Sequence, residues 1–155
     1  MEEGMMSVVK ILLVDDEKPF VETMMKRLKK RKIEVIPAYD GLEAQDCLEK
    51  NSGIEVVILD IKMPNMDGMT ALKEIKSKFP LVEVIMLTGH ATVETGIEGM
   101  KMGAFDYLMK PCDIDQIIAK VTDAAFTYVA LDEQGSKMVI LKANPLPASP
   151  LDKPY

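Results

Sequence analysis

Val56-Val57-Ile58-Leu59-Asp60-Ile61-Lys62-Met63-Pro64 opens with four apolar, mostly β-branched residues and then breaks at a carboxylate. A short continuous run of this kind suits a strand buried on both faces, where no polar alternation is expected. The same design recurs on either side of it. Ile11-Leu12-Leu13-Val14 runs into the acid pair Asp15-Asp16, and residues 105–109 run into Lys110, followed by Pro111. Three strand-like segments therefore deliver an acid pair, an acid and a base to what reads as one edge of one sheet.

Between these runs lie amphipathic stretches. The apolar spacing predicts helices over 17–31, 42–50, 67–79, 92–102 and 113–129, and strands over 9–14, 33–37, 55–60, 82–87 and 105–109. Pro80 stops the third helix, and Gly103 stands where a left-handed cap would end the fourth. Five β-α units in alternation imply an α/β fold, a parallel sheet with helices on both faces. In such open sheets the site lies beyond the carboxyl ends of the strands. Asp15, Asp16, Asp60, Thr88 and Lys110 all fall there. The pattern fades from about Leu131, and four prolines crowd residues 145–155. The organisation read from this is an N-terminal extension over 1–7, one domain over 8–130, and a C-terminal tail or linker over 131–155.

Composition narrows the function. At 155 residues the chain suits one domain, and its 48% apolar content is that of a folded core rather than a disordered segment. A net charge of −6 argues against direct contact with nucleic acid. No apolar run approaches the ~20 residues needed to cross a bilayer, so no membrane partner is expected. Cys47 and Cys112 form neither a metal-ligand spacing nor a disulfide framework, which suits a cytoplasmic protein.

Three carboxylates at one edge need compensation, because two like charges ~4 Å apart cost about 4 kcal/mol at an effective dielectric of 20. Lys110 supplies one positive charge. A hard divalent ion such as Mg²⁺ supplies two and favours carboxylate, water and phosphate oxygens. With an ion to polarise a phosphodonor, an aspartate can act as nucleophile and become an acyl phosphate. Thr88 offers a hydroxyl to a phosphoryl oxygen, and Gly89 leaves room beside it.

The set Val14-Asp15-Asp16-Glu17, Leu59-Asp60-Ile61-Lys62-Met63-Pro64, Asp67-Gly68, Leu87-Thr88-Gly89-His90 and Gly103-Ala104-Phe105-Asp106-Tyr107-Leu108-Met109-Lys110-Pro111 resembles the response-regulator receiver domains of two-component signalling. The likeness spans about residues 8–130, and its wording is similar to that of nitrogen-regulator-type receivers. It implies a flavodoxin-like doubly wound sheet of five parallel strands in the order 2-1-3-4-5. It implies Asp60 as phosphoacceptor and Mg²⁺ held by Asp16 and Asp60, by Asp15 largely through water, and by the Lys62 carbonyl. Lys110 would pair with the phosphoryl group across a cis Lys110-Pro111 bond, and Thr88 and Tyr107 would form the switch pair. The expected partners are a sensor histidine kinase or phosphotransfer protein and a downstream protein or a second copy. Such a protein catalyses only its own phosphotransfer and autodephosphorylation. No output-domain pattern follows residue 130, so the chain reads as a single-domain receiver or as the receiver portion of a longer transcriptional regulator.

Plainer readings stand beside these. Asp15 and Asp16 suit an N-cap, Tyr107 suits a core aromatic, and His90 suits a solvated loop. The basic run at 26–32 suits a solvated helix end complementing the dipole. Methionines near the site (Met63, Met66, Met86, Met109) suit adaptable core filling. Two other functions compete. A Mg²⁺-dependent aspartyl-phosphate phosphohydrolase needs a general acid two residues after its nucleophile, where this chain has Lys62. A flavin- or nucleotide-binding domain needs a glycine-rich loop after the first strand, where this chain has two acids.

Overall fold

Apolar runs sit at the centre of the molecule and amphipathic helices clothe them. In the computed structural model, which describes residues 9–63, 67–89, 92–131 and 137–141, the elements are β1 (Lys10–Val14), α1 (Lys18–Lys30), β2 (Glu34–Ala38), α2 (Gly41–Lys50), β3 (Val56–Leu59), α3 (Gly68–Lys78), β4 (Glu83–Thr88), α4 (Val93–Lys101), β5 (Asp106–Met109) and α5 (Ile114–Ala125). Two further strands follow, β6 (Thr127–Leu131) and β7 (Lys137–Leu141). The first five strands pair in parallel in the order β2-β1-β3-β4-β5, as expected. The middle strand is β3, the one that ends at Asp60.

The alternation hidden in the apolar runs appears in the packing. Ile11, Leu13, Ile58, Ile85 and Leu87 point to one face, with Val21, Met24 and Leu28 of α1 and Ile117, Val121 and Ala124 of α5. Leu12, Val14, Val57, Leu59 and Met86 point to the other, with Leu48 of α2 and Ala71, Leu72 and Ile75 of α3. Both faces are apolar, so period 2 leaves no polar trace in the sequence.

Caps fix where the helices begin. The side chains of Asp40, Asp67 and Thr92 each accept from the backbone three residues on, at Glu43, Thr70 and Thr95. Gly103 has φ +106, the left-handed conformation its place after α4 suggested. At the far end of the sheet, Lys76 of α3 is buried. Its ammonium donates to the carbonyls of Pro80 and Val82 at 3.2 and 2.8 Å and lies 3.7 Å from the buried Glu83. This clasp ties the end of α3 to the start of β4. Arg31, from the basic run, bonds Asp115 of α5 at 2.9 Å.

The last helix is shorter than predicted. It stops at Ala125, not at residue 129, and Thr127–Leu131 is a strand. Thr127, Tyr128 and Val129 are β-branched or aromatic and favour a pleated partner over a helix end. That partner is Lys137–Leu141, within the stretch read as tail, which pairs antiparallel with it, Val129 opposite Val139. The expected extension over 1–7 and the prolines after residue 144 lie outside the described residues.

Candidate functional site

The sheet brings the predicted acids together. Asp15 follows β1, Asp60 follows β3, and the two strands are neighbours with Val14 opposite Leu59. The Asp60 N–H donates to the Val14 carbonyl at 2.9 Å, and the Asp15 N–H donates to the Ala38 carbonyl at 3.0 Å. Parallel pairing thus sets both carboxylates at the same height. One oxygen each from Asp15, Asp16 and Asp60 lies within 4.8 Å of the others. Asp15 and Asp60 are buried, 1% and 4% exposed, whereas Asp16 is open to solvent.

Thr88 ends β4 and is fully buried. Its hydroxyl hydrogen-bonds the Asp60 carboxylate. Lys110 follows β5, and its N–H donates to the Thr88 carbonyl at 3.0 Å. Its ammonium bonds Asp15 Oδ2 at 2.7 Å and Glu17 Oε1 at 2.8 Å, and it stands 4.1 Å above the centre of the Phe20 ring. The Lys110-Pro111 bond is cis, as expected. Asp16, Glu17, Asp60, Lys62, Gly89 and Lys110 line a cleft of about 270 Å³. The Lys62 N–H reaches Asp60 Oδ1 at 3.4 Å. Beneath it, Gly68 brings α3 so close that a side chain there would meet the backbone of Asp60 and Ile61.

The electrostatics follow from burial and like charge. Burial pushes the Asp60 carboxyl above its ordinary value, and the charge of Asp15 adds to this; Thr88, Lys110 and the Lys62 N–H pull partly back. Burial works against the charged form of Lys110, but its bonds to Asp15 and Glu17 outweigh that and hold its pKa up. The ammonium stays charged. Hard oxygen donors in a small acidic cleft are the set that Mg²⁺ takes, with sites left for water and a phosphoryl oxygen.

Comparison with known proteins decides the family. A sequence model of the response regulator receiver domain matches residues 11–122. The chain belongs to that family. A receiver domain protein from Clostridium thermocellum is 37% identical, covering 76% of this chain and 94% of its own, with a TM-score of 0.73. The receiver domain of NtrX from Brucella abortus is 31% identical over 74% of this chain and 97% of its own, TM-score 0.70. A response regulator from Burkholderia pseudomallei, solved with a phosphorylated aspartic acid, calcium ion and citrate, is 27% identical over 76% and 69%, TM-score 0.69.

Within this receiver, Asp15, Asp16, Asp60, Thr88 and Lys110 converge as expected. Tyr107 is half-buried on β5, beside Met86 in register and under α4. Met86 is buried core, but Met109 is exposed at the end of an edge strand rather than filling the core. Pro64, Met66 and His90 lie outside the described residues. Glu17 and Phe20 were not read as site residues. Glu17 had a signal, as a third acid after Asp15-Asp16; Phe20 had none, because its spacing matched the helix core. The plainer N-cap reading of Asp15 and Asp16 does not hold: Glu17 occupies the N-cap position of α1 with no side-chain cap bond, and Asp15 instead accepts the Glu17 N–H at 2.9 Å in a turn before the helix.

Proposed function

We propose that this receiver accepts a phosphoryl group on Asp60 from a histidine kinase or phosphotransfer protein in the cytoplasm, and that the modification changes the surface formed by α4, β5 and α5. The observation that carries the reading is the convergence of three acid oxygens within 4.8 Å beside the Lys110 ammonium. Asp15, Asp16, Asp60 and the Lys62 carbonyl would hold Mg²⁺, which when bound neutralises and polarises the phosphodonor. An Asp60 oxygen attacks phosphorus, the bond from phosphorus to the donor nitrogen breaks, and the imidazole keeps the electron pair and takes up a proton. Lys110 leaves Glu17 for a phosphoryl oxygen, and the Thr88 hydroxyl turns to another. Tyr107 fills the space Thr88 gives up, and the altered face meets a downstream protein or a second copy. The chain catalyses this transfer and its own dephosphorylation, without turnover of a further substrate. The Burkholderia relative, with its phosphorylated aspartic acid and calcium ion, supports the same chemistry here.

Intact-mass measurement after incubation with a small phosphodonor tests this. One phosphoryl adduct is expected with Mg²⁺, and none with chelator or in Asp60→Asn. An adduct that persists in Asp60→Asn, or forms equally without the metal, sinks the proposal.

A further inference from the structure

The helix α4 meets the sheet through glycine. Gly96 and Gly99, on one helix face, are its buried residues. Beneath them lie Tyr107 of β5 and Met86 of β4, which are opposite each other in register. A Cβ at position 96 would stand 2.7 Å from two carbons of the Tyr107 ring, and one at position 99 would run into the Met86 thioether. On the outer face, Val93, Ile97 and Met100 are exposed. Glycine is the poorest helix former after proline, so helix stability gives no reason for two of them in nine residues. Close approach does.

We infer that Gly96 is the positioning residue that seats the Tyr107 ring under α4, so that the rotamer of Tyr107 and the height of α4 above the sheet are set together. The two glycines differ in what they meet. Met86 is fully buried and has nowhere to go, so Gly99 serves packing. Tyr107 is only half-buried, so its surroundings do not enclose it as they do Met86. A methyl group at position 96 is therefore relieved most cheaply by swinging the ring outward. Position 96 thus selects between a seated and a displaced Tyr107 while α4 stays folded. With the ring seated, the stripe of Val93, Ile97 and Met100 is presented in one orientation; with the seat empty, α4 is released. The functional meaning of this rests on the proposed role of Tyr107 as a switch residue. The contact itself does not.

The test uses the full chain labelled with 3-fluorotyrosine. Its four tyrosines give four ¹⁹F resonances, and Tyr107→Phe assigns the relevant one. In Gly96→Ala the Tyr107 resonance should move toward a solvent-exposed position with a larger solvent isotope shift, the other three staying in place. The melting temperature gives a second readout. In the Tyr107→Ala background, Gly96→Ala should raise Tm, because alanine is the better helix former once the ring is gone; with Tyr107 present it should not. If Gly96→Ala fails to fold only when Tyr107 is present, the clash is upheld; failure in both backgrounds overturns the inference. An unmoved Tyr107 resonance together with the same Tm change in both backgrounds overturns it too. Titration with beryllofluoride separates this from the function: if the mimic fails to bind the unaltered protein, the phosphoacceptor reading fails while the seat stands.

Discussion

Asp60 carries a buried negative charge that its surroundings oppose. Burial and Asp15 both raise its pKa. The unfolded chain lacks both effects, so ionised Asp60 lowers stability. The sign follows by linkage. Relative to an always-ionised group, the favourable contribution is complete below the unfolded pKa and is lost as pH rises through the raised folded value. Asp60→Asn should therefore stabilise the protein at pH 7, by about 1–2 kcal/mol given neighbouring charges at this spacing. The gain should shrink as pH falls through the raised pKa. Urea unfolding of both proteins across pH 4–8 checks this, and added Mg²⁺ should narrow the gap at pH 7 by stabilising only the unsubstituted chain. The site was legible at this scale wherever one residue type at a strand end implied one chemistry, as for Asp15, Asp16, Asp60 and Lys110. Glu17 carries a signal only as a third acid after Asp15-Asp16, and Phe20 carries none, because its role comes from where the Lys110 side chain lies, and spacing does not encode that.

Elements were legible where they were long and capped. The helices expected from Asp67 and Thr92 begin one residue later, at Gly68 and Val93, because those two side chains serve as their caps. The end of α5 was misread because Val121, Ala125 and Tyr128 continue a helical spacing that the chain abandons at Phe126, and the strand that replaces it depends on a partner some ten residues on. The clasp at the end of α3 was also hidden, since Lys76 reads in sequence as one more exposed cation. Its burial with Glu83 makes it costly to disturb. Lys76→Met should destabilise the domain by about 3 kcal/mol, because it strands a buried carboxylate. Adding Glu83→Gln should recover a large part of that. Thermal melts of the two variants decide it: equal losses for the single and double substitution would show that lost packing, not the stranded charge, is responsible.

At the scale of the whole molecule there are two sheets of unequal standing. The five-stranded sheet has both faces covered by helices, while β6 and β7 pair only with each other among the described residues. A lone two-stranded hairpin is marginal in water. Ending the chain after Phe126 should therefore change the urea midpoint of the remaining domain by less than about 0.5 kcal/mol equivalent, and a larger loss would mean the hairpin docks on the domain or on a second copy. The strand order has another consequence, one of time. β3 lies in the middle of the sheet with a neighbour on each side, and β5 lies at its edge. Protons on the amides of Val57, Ile58 and Leu59 should escape to solvent only when the whole domain unfolds, while those on Tyr107 and Leu108 should escape through brief local openings. Native-state hydrogen exchange should find the slow class under Asp60 and the fast class at the rim beside α4. The strand that carries Asp60 is thus the last to open, and the strand beside α4 is among the first.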